Sequence, residues 1–270
     1  MGIGGAKEKG CKYCVHRKWG EAKVIASIHQ PNYIPWLGFF DKMLKSDIMI
    51  LLDVVQFEKN EYQNRQKIKL SNGQPSWLTV PVHHKYPQAI SAIEIECASN
   101  GGSWAKKHLH ALRFNYEKAG KWKGYASDLE AIYRQHSNSL VMLNRRLIDW
   151  VAHELGAETR ILLASELLGR DEDLNADPIQ RILDLCSIVK ADSYLTGKGA
   201  LDYLCKERFA EVGIELVVQQ FEHPVYPQLY GQFVSNLSVM DLLLNVGGQA
   251  ARSVIVNPVE VVTGLSGAEL

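Results

Sequence analysis

The sequence predicts an α/β protein with a layered fold, in which a mixed, largely parallel sheet has a Rossmann-like first half and a helical insertion. Three observations support this fold class. Short apolar runs rich in β-branched residues alternate with segments of helical periodicity along most of the chain. An Asn-Gly pair between two alternating runs indicates an antiparallel hairpin. Residues 103–118 and 125–155 have the apolar spacing of helices and form the insertion.

The first half begins with a strand, a loop, a helix and a second strand. VIASIH (24–29) is predicted as the first strand, the helix opens after Pro35, and DIMILLDVVQF (47–57) is predicted as the second strand. A right-handed crossover is nearly obligatory for a unit of this kind. We therefore expect the two strands to be neighbours in one sheet, with their carboxyl ends at the same edge.

The segments that follow complete the sheet and its helices. Asn72 and Gly73 mark the hairpin turn, and ISAIEIEC (90–97) is predicted as a further strand. Gly156 ends the helix predicted over 125–155. The elements predicted beyond it are, in order, the strand TRILLASEL, a helix that begins at Asp177-Pro178, the strand SYLT, a helix in YLCKERFAEVG, the strand IELVVQQF, and a last helix around LSVMDLLLNVG.

The chain is long enough to bury one substantial core. Its 270 residues, of which 46% are hydrophobic, predict a single α/β domain over residues 23–270, or two tightly joined lobes split near 100–155. Residues 1–22 are interpreted as a flexible N-terminal extension. Cys11 and Cys14 in that extension have the spacing of half a zinc site, but a closed site needs four ligands, so no metal is predicted.

Charge and hydropathy narrow the class of partner. Lys+Arg and Asp+Glu both number 30, so no overall field draws the protein to nucleic acid or to an anionic membrane. No apolar run approaches the ~20 residues of a membrane helix, and the N-terminus lacks an apolar signal core. Five cysteines at irregular spacing are not typical of a disulfide framework. We therefore expect a cytoplasmic protein without a membrane span, whose partner is a small molecule.

The loop after the first strand carries the first group of candidate binding residues. It leaves the carboxyl end of a strand and precedes a helix N-terminus, which favours an anionic ligand. Two prolines stiffen the loop, and its polar and aromatic candidates are His29, Gln30, Asn32, Tyr33 and Trp36. The alternative interpretation is that the histidine is a satisfied interior residue and that the aromatic side chains of this region belong to the core.

A second polar group follows the second strand and is expected at the same edge of the sheet. Its candidates are Asp53, Gln56, Lys59, Asn60, Asn64, Arg65 and Lys67. The basic side chains suit a phosphate or a carboxylate, although an ordinary solvated loop would have a similar composition. Lys198, in a glycine-flanked turn after SYLT, and Tyr226, before the last helix, complete the set of substrate-binding candidates.

His29 is the predicted general base. The unperturbed pKa of histidine, about 6.5, suits the removal of a proton near neutral pH. Asp53 is the reserve candidate for the same role.

Several motifs together resemble the WbqC-like protein family. They are HQPNYIPWLGFFDKM, DIMILLDVVQFEKNEYQNRQKI, the segment around Asn144, SYLTGKGALDYL, and YPQ with SNLSVMDLL, and they span roughly residues 23 to 250. The family is found among genes for surface polysaccharides and other modified sugars. The resemblance implies modification of an amino sugar, with attachment of glycine or a related acyl group to its amine.

A weaker resemblance concerns nucleotidylyltransferases of the HxGH type, such as pantothenate synthetase. The order of strand, proline-rich loop, helix and a strand ending in VVQF is similar to theirs, and it implies ATP as a candidate cofactor for carboxylate activation. Where those enzymes carry two histidines, however, an alignment places Tyr33 and Trp36, and His29 is displaced toward the strand. The residues themselves therefore leave the cofactor unknown.

Three functional hypotheses follow. The first is an N-acyl or aminoacyl transferase, or an ATP-dependent amide ligase, that acts on a nucleotide-linked amino sugar in O-antigen or other surface-polysaccharide biosynthesis. The second is a nucleotide-sugar binding module without catalysis. The third is an assembly protein that holds biosynthetic partners together.

Overall fold

A computed structural model describes residues 23–96, 104–134, 138–168, 174–200 and 204–256. Its strands are β1 (Ile25–His29), β2 (Ile48–Leu51), β3 (Arg65–Lys69), β4 (Pro75–Thr79), β5 (Val82–His83), β6 (Glu94–Ile95), β7 (Arg160–Leu163), β8 (Ser193–Thr196) and β9 (Glu215–Val218). Its helices are α1 (Leu37–Leu44), α2 (Trp104–Tyr116), α3 (Trp122–Arg134), α4 (Leu140–Glu154), α5 (Ala164–Leu168), α6 (Pro178–Ile188), α7 (Lys206–Glu211), α8 (Val239–Val246) and α9 (Gly248–Val256).

The main sheet has five parallel strands in the order β7-β2-β1-β8-β9. The prediction that the first two strands are neighbours is confirmed, since Ala26 pairs with Ile48 and His29 with Leu51. From β1 the chain moves outward through β2 to β7, then returns to β8 on the other side of β1. The carboxyl ends of β1 and β8 thus flank a topological switch point, where doubly wound sheets bind their ligands.

The predicted layered α/β class is confirmed, and the structure refines its antiparallel part. The Asn72-Gly73 hairpin is present as β3 and β4, with Gly73 at a φ of 82°, but it forms its own two-stranded sheet, so the main sheet is wholly parallel. In the described part of the strand predicted over 90–97, which ends at residue 96, β6 is the one paired strand, and a 3-10 turn over Ile90–Ala92 precedes it.

Two element boundaries differ from the prediction for local reasons. β2 ends at Leu51, because the Asp53 N–H donates to the Leu51 carbonyl and turns the chain out of the sheet. The predicted helix over 125–155 is divided into α3 and α4, because the hydroxyl of Ser139 accepts from the Met142 N–H and begins a new helix. The predicted end at Gly156 is confirmed, with a φ of 62° there.

Both faces of the sheet are covered, as a parallel sheet requires. Ile48 and Ile50 of β2 face a core that includes residues of α6 and α7. Met49 and Leu51 of the same strand face a larger core built with α1, the inserted helices α2 to α4, the hairpin, α8 and α9. The helical insertion therefore lies in the layer that also contains α1.

Some of the predictions are not tested by the residues that the structure describes. Cys11 and Cys14 lie outside the described residues, as does the proposed extension over 1–22. The division of the chain into one domain or two lobes stays a prediction. None of the helices in the described part of the chain has the length and apolar character needed to cross a bilayer.

Candidate functional site

A pocket of about 480 Å³ opens at the switch point between β1 and β8. It receives residues from the ends of β1, β8 and β9 and from α1 and α6. The described residues that line it include two lysines and no carboxylate, and this part of the wall favours a negatively charged group. The residues that line it are Ile28, His29, Gln30, Trp36, Gly38, Lys42, Leu52, Ile182, Tyr194, Thr196, Gly197, Lys198, Gly199, Gln219 and Phe221.

The loop between β1 and α1 is held in place by buried hydrogen bonds. The side-chain amide of Asn144, fully buried on α4, donates to the carbonyls of Pro31 and Gln63, each at 2.8 Å. The hydroxyl of Ser238 donates to the carbonyl of Ile34 at 2.8 Å and also caps α8. A loop that is fixed at both ends positions the residues beside it with little freedom.

Aromatic rings form one wall of the pocket. Trp36 and Phe221 meet edge to face, with their ring centroids 5.5 Å apart. The indole of Trp36 lies over the first turn of α1, at the position that a side chain on Gly38 would occupy, because a Cβ there would come within 2.2 Å of the ring. Glycine in this helix is therefore required by the packing of the tryptophan.

His29 is the last residue of β1 and is only partly buried. Its Nδ1 lies 3.0 Å from the Gln30 carbonyl, which can only accept, so Nδ1 carries the proton and Nε2 keeps its lone pair. Burial, together with the positive charge of Lys42, lowers the pKa of His29 to about 3. The imidazole is neutral at physiological pH and is a much weaker base than the ordinary pKa of histidine predicts.

Lys42 is the site residue that sequence reasoning missed. It lies on α1 with only 7% of its surface exposed, and burial lowers its pKa to about 8. The neighbouring carboxylate of Asp41 is already paired with Lys45 at 2.6 Å and accepts from Gln219 at 2.6 Å. A signal was available, since Lys42 follows Phe39 by three positions and so lies on the buried side of the helix.

The ends of β8 and β9 close the pocket on the other side. Gln219, just after β9, donates to the Gly38 carbonyl at 2.8 Å as well as to Asp41, so it ties the last strand to α1. Gly197, just after β8, faces the same space. A Cβ on Gly197 would lie 3.7 Å from the Lys42 ammonium nitrogen and 4.0 Å from Gln219 Oε1.

The structure brings four of the predicted site residues together. His29, Gln30, Trp36 and Lys198 all line the pocket. The side-chain oxygen of Gln30 accepts from Gln63 at 2.9 Å, which fixes its orientation. Lys198 is exposed on the rim.

Asp53 lies at the end of β2 but does not line the pocket. One carboxylate oxygen accepts from the Ser165 N–H at 2.8 Å and the other from the Ser165 hydroxyl at 2.6 Å. Burial raises the pKa of Asp53, and the bonds from Ser165 partly offset that rise. Its carboxylate therefore joins β2 to the start of α5, which is a structural role.

Two predicted aromatic ligands lie in the core instead of the pocket. The Tyr33 side chain is fully buried, and its hydroxyl forms hydrogen bonds with His108 Nδ1, at 2.8 Å, and with the hydroxyl of Tyr133. Tyr226 is also buried and donates to the Asp241 carboxylate at 2.9 Å. Asn32, in the same loop as Tyr33, is buried and is not among the residues that line the pocket.

The remaining candidates lie on or near the hairpin. Arg65 and Lys67 place their cationic groups 4.2 and 4.8 Å from the centroid of the Trp77 ring, an arrangement typical of cation–π contacts. The side chains of Gln56 and Asn64 donate to backbone carbonyls of nearby loops. Lys59 and Asn60 are exposed. None of these residues lines the pocket at the switch point.

Fold and site together define a doubly wound α/β protein with a cationic pocket at its switch point. The chain belongs to the WbqC-like protein family, whose model matches residues 30–253. It is 38% identical over 229 residues to the uncharacterized protein Rv1507c of Mycobacterium tuberculosis, an alignment that covers 83% of this chain and 94% of that protein. No solved structure matches the chain.

Proposed function

We propose that the protein is an enzyme that attaches an acyl or aminoacyl group, such as glycyl, to the amine of a nucleotide-linked amino sugar in surface-polysaccharide biosynthesis. The observation that carries this proposal is the pocket at the switch point. Within the part of the chain that the structure describes, its lining combines two lysines and a neutral histidine without a carboxylate. Membership of the WbqC-like family is compatible with this role.

The charge of the pocket suits the phosphates of a nucleotide. Lys42 and Lys198 attract these phosphates, and a phosphate that pairs with them neutralises their charge. The lysines therefore serve to bind the nucleotide, and the amine reacts through the neutral form that is in equilibrium with its ammonium form.

The neutral imidazole of His29 can then assist the acyl transfer. Its Nε2 accepts a hydrogen bond from the amine and orients the nitrogen lone pair toward the acyl carbon. The new C–N bond forms, the bond from the acyl carbon to the leaving group breaks, and the leaving group departs with the electron pair. The nitrogen becomes acidic as it bonds to carbon, and at that point its proton passes to Nε2, even though the pKa of His29 is low.

ATP use is not supported by the residues at the two positions where the HxGH enzymes carry histidines. Tyr33 is fully buried and bonded to His108 and Tyr133, so it does not reach the pocket. Trp36 offers an aromatic face and no charge. The proposed reaction therefore does not include ATP, and its acyl donor is an activated acyl group.

The test is incubation with a nucleotide-linked 4-amino sugar and a panel of acyl donors, including glycine with and without ATP, followed by mass spectrometry. A mass gain on the sugar nucleotide that requires the protein is the expected result. His29→Asn should reduce the rate by about 10²-fold or more, as for loss of a positioned proton acceptor. Lys206→Met, at an exposed position on α7, is the control and should react as the wild type does.

Two other functions make different forecasts in the same experiment. A nucleotide-sugar binding module would bind the sugar nucleotide, as measured by calorimetry, without any mass gain. An assembly protein would show neither binding nor turnover. Either result, obtained across the full donor panel, would contradict the enzyme proposal.

A further inference from the structure

The Lys42 ammonium is buried without a counter-anion. Burial is the only cause of its lowered pKa, and no ion pair or hydrogen bond joins it to another side chain in the described part of the chain. The other lysine at the pocket, Lys198, is exposed and can keep its charge hydrated. An unpaired buried charge is costly to the folded protein, so a site that retains one is suited to a ligand of opposite charge.

The space beside this ammonium has been left open. Gly197 has no side chain, and a Cβ at that position would lie 3.7 Å from Lys42 Nζ and 4.0 Å from Gln219 Oε1. The Gly197 backbone does not have the positive φ that would explain the glycine by conformation. The absence of a side chain therefore gives a bound group direct access to Nζ.

We propose that Lys42 Nζ and the open face of Gly197 form a phosphate subsite for the diphosphate of the sugar nucleotide. This assignment rests on the proposed function for the identity of the substrate, although the subsite can be tested without any turnover. A diphosphate fits the pocket better than a single carboxylate does, because it carries at least two negative charges and the wall residues that the structure describes offer two lysines and no acid. Lys198 lies next to Gly197 and can reach the second phosphate from the rim.

The experiment is calorimetric titration of the full chain with two phosphate ligands, inorganic pyrophosphate and a nucleoside diphosphate. Parallel titrations with acetate and glycine test whether the pocket binds a carboxylate instead. Lys42→Met keeps an unbranched side chain that is one atom shorter and removes its charge. We expect this variant to lose about 10- to 100-fold in affinity for pyrophosphate and for the nucleoside diphosphate, as for loss of a hydrogen bond to a charged group. Lys206→Met changes the net charge equally at an exposed site and should bind as the wild type does.

Two further measurements separate a binding role from a structural one. Removal of an uncompensated buried charge should leave the melting temperature of Lys42→Met equal to or above that of the wild type, whereas a lysine that stabilises the fold would lower it. Gly197→Ala keeps the lysine and adds only ordinary van der Waals contacts, so this variant should fold normally. Its affinity for pyrophosphate should nevertheless be several-fold lower than that of the wild type, because the added methyl group narrows the access to Nζ.

The outcomes distinguish the subsite from the enzyme proposal. Wild-type affinity for pyrophosphate in Lys42→Met, or no binding to the wild type at millimolar concentration, overturns the subsite even if the protein acylates amino sugars. Binding of acetate or glycine, but not of pyrophosphate, in a Lys42-dependent manner also overturns it and assigns the lysine to the acyl donor. Lys42-dependent pyrophosphate binding supports the subsite, and lack of a mass gain with every donor then rejects the enzyme proposal alone.

Discussion

Burial of His29 should make the protein sensitive to mild acid. The pKa of His29 is lowered from 6.5 to about 3, so between these values the unfolded chain binds a proton that the folded protein does not. Acidification in this window therefore favours unfolding, and the stability present above pH 6.5 is lost as the pH falls. His108, bonded to Tyr33 in the core, contributes in the same direction, because burial lowers its pKa to about 4.

The size of the effect at pH 5 depends little on how far each pKa is lowered. Both folded pKa values lie below 5, so the loss is set by the 1.5 units between pH 5 and the unfolded value of 6.5. At 1.36 kcal/mol per unit, each histidine costs about 2 kcal/mol between pH 7.5 and pH 5. The two together cost about 4 kcal/mol, a large part of the 5–15 kcal/mol of a typical domain.

Urea unfolding at pH 7.5 and pH 5, followed by circular dichroism, measures this loss. In His29→Asn, the decrease in the free energy of unfolding between the two pH values should be about 2 kcal/mol smaller than in the wild type. His110→Asn replaces an exposed histidine on the same helix as His108 and is the matched control. An equal decrease in His29→Asn and the wild type would show that the His29 ring is hydrated, and it would restore His29 as an ordinary base.

Substitutions at three other positions test the residues that support the pocket and the core. Gly38→Ala should displace the Trp36 indole from α1 and so change the near-UV circular dichroism spectrum. The gain in helix propensity, up to ~1 kcal/mol, should keep the melting temperature near that of the wild type. An unchanged spectrum would contradict the contact between Trp36 and Gly38. Asn144→Ala leaves two buried carbonyls without donors and should cost about 2–4 kcal/mol in urea unfolding, whereas a loss below 1 kcal/mol would mean that water replaces the amide. Asp241→Ala removes the acceptor of two buried tyrosine hydroxyls and should cost about 2–5 kcal/mol, with Asp241→Asn less damaging because it keeps one acceptor. Equal losses in these two variants would indicate that the charge matters more than the hydrogen bonds.

Much of the fold is predictable because it depends on local signals. The alternation of apolar runs and helical periodicity, the Asn-Gly turn and the helix start at Asp177-Pro178 each lie within a few residues of the structure that they specify. The end of β2 is different. The apolar residues continue beyond Leu51 to Leu52 and resume after Asp53 at Val54 and Val55. The strand stops at Leu51 because Asp53 turns the chain and forms hydrogen bonds with Ser165, a residue more than a hundred positions away.

The candidate site shows the same contrast between features that depend on local signals and features that depend on contacts distant in the sequence. His29 and Lys198 are found from the sequence because His29 is the last residue of one predicted strand and Lys198 closely follows another. Lys42 is not found, because lysines on helices are usually exposed, and its burial depends on β8 and β9 lying beside α1. Arg65 and Lys67 follow β2 within a few residues in the sequence, but in the hairpin their side chains contact Trp77 and do not reach the pocket.

Because Gln219 forms hydrogen bonds with α1, the pocket can be completed only late in the translation of the chain. Gln219 lies 181 residues after Gly38 and 178 after Asp41, so a chain still emerging from the ribosome has β1, α1 and β2 long before it has the residue that closes them. A nascent chain therefore has no complete pocket. A ligand that requires this pocket would stabilise finished chains by mass action and leave truncated ones unprotected. In a cell, the concentration of that ligand would then influence how many complete molecules persist.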